Sequence, residues 1–398
     1  MSDLTSKLMS RRSALGLMAA GAGLPALAWA KETSAALPPS VVTSPPRQWG
    51  AGSPPVIYPD PDILILDPSF RKYLLTITQI RRIWDKGLWT EGPAWSSQGH
   101  YLVFSDVQAN TQYRYIWETG EIVPFRKPSY NSNGNAFDFE GRQISTQDLF
   151  RRVVRWENDG TQTVLADSYE GKPLNSPNDL AVHPDGSVWF TDPAYGDTLS
   201  EGHPDFAGGP TNPDGHVNPR IGEELVGLIG GKKRELPGQC YRVDKSGRLD
   251  LVISGQDLPS PNGICFSPDY TNLYVPSTSR EPGATSGGDR NIIYVFDVKD
   301  GKVSNQKVFS DMTFEGVRCA PDGLRADVDG NLWCGSNGPL GYGGVMVFNP
   351  AGKRIGHIRL PNLCANLTFA GPKRNMLMMC AGQSIYTLQV QTQGAAPS

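Results

Sequence analysis

Short apolar runs, rich in β-branched and aromatic residues, alternate along the chain with Asp-Gly and Pro-Asp turns. Such runs are typical of β-strands bounded by turns. Beyond the N-terminal segment no stretch has convincing helical periodicity; the strongest candidate, residues 69–84, is ambiguous and could hold a helical turn. The pattern therefore predicts an all-β protein. The clearest predicted strands are 101–104 (YLVF), 188–190 (VWF), 273–275 (LYV), 293–296 (IYVF) and 344–348 (GVMVF).

Six segments repeat one pattern, in which an oxygen-bearing polar residue stands just ahead of a strand. We call these six residues the anchors: Glu91, Asn135, Asn178, Asn262, Asp322 and Asn366. Three of the five intervals between successive anchors are about 44 residues, the length of four short strands with their turns. The two longer intervals each contain a Gly- and Pro-rich insertion, at 196–239 and 277–290. The repeat predicts a six-bladed β-propeller over residues 61–393. A solenoid is disfavoured because we find no capping units in the sequence.

The N-terminus has the features of a targeting signal. Arg11 and Arg12 precede an apolar, Ala- and Gly-rich run, and 28–30 (AWA) offers a small-residue cleavage site. Residues 1–30 are therefore predicted to be a twin-arginine-type signal peptide and the mature protein to be periplasmic. The apolar run is too short to argue for a permanent membrane span. Residues 31–60, with seven prolines, are predicted to be a linker or a segment lying over the domain surface, and the tail from Gln391 is predicted to be frayed.

Composition limits the choice of partners. With 37 Lys and Arg against 40 Asp and Glu, the formal net charge is −3, which gives no reason to expect nucleic acid or a membrane surface as partner.

The six cysteines lie in the second half of the chain. Cys319 and Cys364 could face each other across adjacent units, or several of the cysteines could be small buried residues. The five histidines form no metal-binding spacing, which argues against a zinc site built on Cys and His. The oligomeric state is not predicted.

The anchors are the candidate chemistry of the chain. In a propeller the innermost strand of each blade lines a central channel, so the anchors are expected to converge on one axis. For a lone Asn, a turn in which the side chain bonds its own backbone would be the simpler interpretation. Six polar residues in register favour a shared site instead. Glu91 and Asp322 place two like charges near the axis, which calls for a cation. Carboxylate and amide oxygens are hard donors that suit Ca²⁺, Mg²⁺ or Mn²⁺.

The segments that carry the anchors also match known motifs, at 90–95 (TEGPAW), 176–186 (SPNDLAVHPDG), 189–196 (WFTDPAYG), 260–264 (SPNGI) and 321–324 (PDGL). Over about residues 84–390 the chain resembles the gluconolactonase, regucalcin (senescence marker protein) and lactonase-like six-bladed propellers, and is most similar in type to a bacterial exported gluconolactonase. The resemblance implies one divalent cation, with Ca²⁺ favoured and Mg²⁺, Mn²⁺ or Zn²⁺ open. The implied ligands are Glu91, Asn178, Asn262 and Asp322. The implied substrate neighbours are Asn135, Asn178 and Tyr195, which leaves Asn366 as a structural member of the ring.

The implied reaction is hydrolysis of a sugar lactone, glucono-1,5-lactone to gluconate. In this hypothesis the cation polarises the ring carbonyl and Asp322 activates the attacking water, while direct attack by the Asp322 carboxylate stays open. The chain has no G-x-S-x-G motif, so a serine hydrolase is disfavoured. Two alternatives remain. One is a propeller hydrolase whose main substrate is another lactone or a phosphotriester, and the other is a non-catalytic, metal-containing sugar-binding propeller.

Overall fold

The predicted apolar runs all lie in β-strands of the computed structural model, which describes residues 37–50, 52–193, 195, 235–278 and 290–396. The export signal predicted at 1–30, and all but the ends of the insertions predicted at 196–239 and 277–290, lie outside the described residues. Among the residues that are described, no helix is long and apolar enough to span a membrane.

The strands follow one another in groups of four. Two precede the first group, β1 (Ile63–Ile65) and β2 (Arg81–Trp84), with a 3₁₀ helix (Pro68–Tyr73) between them that confirms the helical turn expected in 69–84. Blade 1 contains β3 (Thr90–Ser96), β4 (Tyr101–Asp106), β5 (Thr111–Ile116) and β6 (Ile122–Arg126). Blade 2 contains β7 (Ser132–Phe137), β8 (Gln143–Gln147), β9 (Arg152–Trp156) and β10 (Gln162–Ala166), and is followed by the hairpin of β11 (Ser168–Tyr169) and β12 (Lys172–Pro173). Blade 3 contains β13 (Leu180–Val182), β14 (Val188–Asp192), β15 (Gln239–Val243) and β16 (Leu249–Ile253).

The second half of the chain repeats this order. Blade 4 contains β17 (Cys265–Phe266), β18 (Asn272–Ser277), β19 (Ile292–Lys299) and β20 (Lys302–Ser310), followed by the hairpin of β21 (Thr313–Phe314) and β22 (Val317–Arg318). Blade 5 contains β23 (Ala320–Ala326), β24 (Leu332–Asn337), β25 (Gly344–Phe348) and β26 (Arg354–Arg359). Blade 6 contains β27 (Asn366–Ala370), β28 (Met376–Ala381) and β29 (Ser384–Gln389).

The blades close into a ring. The first strands of the six blades (β3, β7, β13, β17, β23 and β27) each contact the first strand of the next blade, and β27 of blade 6 contacts β3 of blade 1. The beginning of the chain completes the two last blades: β2 pairs with β29 as the fourth strand of blade 6, and β1 pairs with β26 as a fifth strand of blade 5. A closed ring needs no capping units, and the predicted six-bladed propeller is confirmed.

Apolar side chains fill most of the wedges between neighbouring blades. Trp189 and Trp333 are fully buried at matching places on the second strands of blades 3 and 5, and each belongs to a cluster that spans two blades. The wedge between blades 1 and 2 differs, because its buried apolar cluster contains only Ala94, Val103 and Phe137. Polar side chains occupy the rest of that wedge and are described with the site below.

Both ends of the described chain are tied to the blades. In the Pro-rich segment, Arg47 is buried and forms ion pairs with Asp60 at 2.8 Å and Asp62 at 3.3 Å. At the other end, the Ala395 amide donates to Ala326 O at 3.0 Å, and the Gln393 carbonyl accepts from the Val328 amide at 2.9 Å. The expectation of a frayed tail from Gln391 is therefore wrong: backbone hydrogen bonds tie residues 391–395 to Tyr73 of the 3₁₀ helix and to blades 5 and 6.

All six cysteines are buried and none forms a disulfide. Their interpretation as small core residues is confirmed, and the alternative Cys319–Cys364 bridge is not formed.

Candidate active site in the central channel

The anchors of blades 3, 4 and 5 occupy one equivalent position on the first strand. Asn178 and Asn262 each donate their backbone N–H to the second strand of their blade, to Thr191 O at 2.9 Å and Pro276 O at 3.1 Å. In blade 5 a bulge lies between Pro321 and Leu324, so that Asp322 and the next residue oppose a single residue of β24. Strand pairing resumes two residues after both Asn178 and Asp322, which places them in register.

Blades 1 and 2 have the same bulge as blade 5. It lies between Glu91 and Ala94 in blade 1 and between Ser132 and Asn135 in blade 2. Counted from the bulge, the residue of blade 2 that matches Asp322 is Asn133, and Glu91 lies one residue earlier than this position. The sequence repeat placed Asn135 among the anchors; the pairing places it two residues further along the strand.

Glycines let the first strands approach one another closely around the axis. Gly92 has a φ of +51°, and a Cβ atom there would lie 2.0 Å from the carbonyl oxygen of Asn133 in blade 2. A Cβ atom on Gly263 would lie 2.6 Å from the carbonyl oxygen of Asp322 in blade 5. Only glycine fits such an approach without displacement of the neighbouring backbone, so the Glu-Gly and Asn-Gly pairs bring adjacent anchors together.

The two carboxylates of the ring lie close to one buried thiol. Glu91 is 2% exposed and Asp322 is 6% exposed. Burial raises the pKa of the Cys364 thiol of blade 6 well above its ordinary value, and the negative charges of Asp322 and Glu91 raise it further. The raised pKa favours the neutral thiol, and its causes place charges of blade 1 and blade 5 near this residue of blade 6.

Asn337 contacts Asp322 and was missed by the sequence analysis. Its Nδ2 donates to Asp322 Oδ2 at 2.8 Å, and its own Oδ1 is buried with no hydrogen-bond partner among the described residues. Asn337 ends β24, at the position that pairs with Ala320. The sequence could have indicated Asn337 only by its position, because polar residues also end the second strand in other blades, such as Asp106 and Asp192.

The amide anchors are held by their backbones. The carbonyl oxygen of Asn178 accepts from Thr146 Oγ1 at 3.0 Å, and that of Asn262 accepts from Thr191 Oγ1. The side chain of Asn262 is almost buried, at 6% exposure of the residue, and makes no hydrogen bond within the part of the chain that the structure describes. Buried amides are usually satisfied, so this side chain has the capacity to bind a group that the protein itself does not supply.

Asn135 is committed to a buried polar network between blades 1 and 2. Its Oδ1 lies 2.7–2.9 Å from three donors and its Nδ2 lies 2.9–3.1 Å from three acceptors, so the two lone pairs and two N–H groups of the amide all have partners within the protein. Its partners are Gln112, Gln143, Ser145, Ser105, Gly92 O and Asn133 O. Asn135 is fully buried, so these contacts argue against the substrate role predicted for it.

Tyr195 is half-buried and contacts the residue that follows β18. Its hydroxyl donates to Thr278 O at 2.7 Å, and Thr278 Oγ1 in turn donates to the carbonyl oxygen of Pro321, the residue before Asp322. Tyr195 is thus connected to the ends of blades 4 and 5, where Asn262 and Asp322 lie. Its contact with a substrate stays a prediction.

A buried ion pair that the sequence did not reveal crosses the ring. Arg325 of blade 5 donates from Nη1 to Asp179 Oδ2 of blade 3 at 3.0 Å and from Nη2 to Oδ1 at 3.3 Å. Asn366 Nδ2 approaches the same carboxylate at 3.4 Å, in keeping with the structural role expected for this anchor. Burial opposes the charge of Arg325, but the negative charge of Asp179, with a smaller contribution from Glu91, raises its pKa.

The donor set decides which cation fits this site. Within the described residues, no three His, Cys, Asp or Glu side chains converge as a metal-binding group. A cation held by Glu91 and Asp322 would therefore need the amide oxygens of Asn178 and Asn262. Oxygen donors with two carboxylates suit a hard divalent cation such as Ca²⁺, and the Asn262 amide, which has no partner among the described residues, supports this fit.

The chain matches one protein family over most of its length. The SMP-30/Gluconolactonase/LRE-like region matches residues 89–383. A gluconolactonase from Zymomonas mobilis is 29% identical over 332 residues, which cover 77% of this chain and 80% of that protein. The solved structure of a gluconolactonase from Xanthomonas campestris is 28% identical, with a TM-score of 0.66 over 86% of this chain and 99% of that chain. A calcium-binding regucalcin from Agrobacterium tumefaciens shares the fold at 19% identity, with a TM-score of 0.57 over 79% of this chain and 95% of that chain.

Proposed function

We propose that this chain, which belongs to the SMP-30/Gluconolactonase/LRE-like family, is a lactonase that hydrolyses a sugar lactone to the open-chain hydroxy acid. The substrate we expect is glucono-1,5-lactone. The observation that carries the proposal is the pair of buried carboxylates, Glu91 and Asp322, whose negative charges both raise the pKa of the buried Cys364 thiol. Similarity to gluconolactonases over most of the chain supports the choice of substrate.

We propose that one divalent cation, Ca²⁺ in the first instance, is held by Glu91, Asn178, Asn262 and Asp322. Two carboxylates neutralise its charge, and the two amides add donors without adding charge. The chemistry that such an ion supplies when bound is polarisation of the lactone carbonyl towards attack by water. The calcium-binding regucalcin of the same fold is consistent with this choice of ion.

In the mechanism that we propose, Asp322 is the general base. Its Oδ2 is held by the Asn337 amide at 2.8 Å, which restricts rotation of the carboxylate while a water molecule is deprotonated. The water oxygen bonds to the lactone carbonyl carbon and the ring C–O bond breaks. The proton taken up by Asp322 passes to the departing ring oxygen, which becomes the hydroxyl of the product, so that Asp322 returns to its starting state.

Substrate orientation in this proposal comes from polar groups at the end of the ring. Asn337 Oδ1 is buried without a partner in the described structure and could accept a hydrogen bond from a sugar hydroxyl. Asn178 and Tyr195 are the further contacts that we propose, with Tyr195 placed by its hydrogen bond to Thr278 O. We also propose that the protein acts in the periplasm, on the basis of Arg11, Arg12 and the cleavage site in the N-terminal segment.

Acid release from glucono-1,5-lactone tests the proposal. The protein, purified without its signal peptide, should release acid above the spontaneous rate, lose this activity in EDTA and regain it with excess Ca²⁺. A metal-dependent rate on other lactones or on phosphotriesters alone would reassign the substrate. Sugar binding with no turnover of any of these substrates would contradict a lactonase and favour a binding propeller.

A further inference from the structure

The Arg325–Asp179 ion pair joins two blades that are not neighbours. Arg325 belongs to β23 of blade 5, and Asp179 directly precedes β13 of blade 3, with blade 4 between them. Both residues lie next to proposed ligands of the cation. Asp179 follows Asn178, and Arg325 lies three residues after Asp322.

The geometry of the pair is fixed on both sides. Asp179 Oδ1 accepts from the backbone N–H of Leu180 at 2.9 Å, besides its contact with Arg325 Nη2. Arg325 Nη1 also donates to Leu324 O at 2.7 Å. Both side chains are buried, at 9% exposure for Arg325 and 1% for Asp179. The bidentate contact therefore has little rotational freedom, and it fixes the distance between the first strands of blades 3 and 5.

Stability alone is a weak reason for this pair. Removing two charges from water costs free energy that their attraction only partly repays, and a well-packed apolar pair is often as stable or more stable. The charges also have consequences for the ring. Glu91, Asp322 and Asp179 bring three negative charges into the channel wall, and the positive charge of Arg325 offsets one of them. The charge of Glu91 also contributes to the raised pKa of Arg325.

We propose that Arg325 and Asp179 are positioning residues for the cation site: their cross-channel ion pair sets the spacing of Asn178 and Asp322. The inference rests on the proposed cation site. Asp179 anchors the guanidinium, and the guanidinium holds β23 at the distance at which ligands from blades 3 and 5 reach one ion. Partners that orient the ligands of a metal in this way typically change its affinity about 10- to 100-fold when they are removed.

Ca²⁺ binding to the metal-free protein, measured by isothermal titration calorimetry, tests the proposal without use of activity. The double variant Asp179→Asn/Arg325→Met removes one negative and one positive charge, so the net charge of the channel is unchanged. A change in Ca²⁺ affinity then reports on the spacing of the ligands. We expect a cooperative thermal transition and a Ca²⁺ affinity reduced about tenfold or more. Asp179→Asn alone should bind Ca²⁺ more weakly than the double variant, because the unpaired positive charge of Arg325 then repels the ion.

A second buried ion pair provides a matched control. Arg47 Nη1 and Asp60 Oδ1 are 2.8 Å apart, and this pair lies outside the ring of first strands. The double variant Arg47→Met/Asp60→Asn should change thermal stability but leave Ca²⁺ affinity at the wild-type value. If the double variant of the channel pair does not fold, Arg325→Lys retains the charge, loses the bidentate contact and should still weaken Ca²⁺ binding.

The outcomes separate this inference from the proposed function. A folded Asp179→Asn/Arg325→Met variant with wild-type Ca²⁺ affinity would show that the pair is structural only and would overturn the inference. An equal loss of affinity in the Arg47 and Asp60 control would also overturn it, because the effect would then be a general consequence of lost stability. A wild-type protein that binds no divalent cation would instead contradict the proposed cation site itself.

Discussion

Asn337 Nδ2 donates a hydrogen bond to Asp322 Oδ2 at 2.8 Å, and so connects the end of β24 to the first strand of the same blade. The contact restrains the carboxylate that we propose as general base. The buried Oδ1 of Asn337 adds a second potential contact, with the substrate, on the same side chain.

Replacement of Asn337 should therefore affect catalysis more than folding. For Asn337→Ala we expect kcat to fall about tenfold or more, the scale of a lost positioning contact to a catalytic group, with a small change in melting temperature. Steady-state kinetics with gluconolactone measure the effect, and the exposed Asn158→Ala serves as a control. Unchanged kcat in a folded Asn337→Ala protein would exclude a positioning role.

Asn135 should behave in the opposite way. Removing its amide leaves several buried donors and acceptors of the blade 1–blade 2 network unpaired, each at a cost of about 1–3 kcal/mol. We expect Asn135→Ala to lower the free energy of unfolding by a few kcal/mol in urea titrations and to leave the KM for the lactone nearly unchanged. A large rise in KM without loss of stability would instead support the substrate role predicted from the sequence.

His357 should make stability depend on pH. It is fully buried, and burial lowers its pKa to about 4, against an ordinary value of 6.5 in the unfolded chain. Between these values the unfolded state binds more protons, so the free energy of unfolding decreases as the pH falls from 6.5 towards 4.

The variant His357→Gln isolates this contribution. Relative to the variant, the wild type should lose about 2 kcal/mol of unfolding free energy between pH 7 and pH 5. Urea unfolding at both pH values measures the difference, and other titrating groups cancel in the comparison. A wild-type-minus-variant difference that is constant with pH would show that His357 does not titrate as its burial implies.

The sequence was sufficient to predict the number of blades, because each blade repeats one pattern of anchor, strand and turn. It was also sufficient to identify Asn178, Asn262 and Asp322, which share one register. The anchor of blade 2 was placed two residues too late, at Asn135: both Asn133 and Asn135 stand ahead of apolar strand residues, and only the strand pairing shows that Asn133 occupies the position of Asp322. Nor could the sequence pair Arg325 with Asp179, because residues so far apart in the chain meet only through the closure of the ring.

The most direct test of the account is the activity of Asp322→Asn. The variant keeps the shape of the side chain and its contact with Asn337 but removes the proposed base and one charge of the cation site. The matched control is Asp300→Asn, on an exposed turn. Acid release from gluconolactone at saturating Ca²⁺ should fall about 10²- to 10⁴-fold in Asp322→Asn and stay at the wild-type rate in the control. Both variants should retain the thermal unfolding transition. Near-wild-type acid release by a folded Asp322→Asn protein would contradict the central claim that this carboxylate performs the hydrolysis.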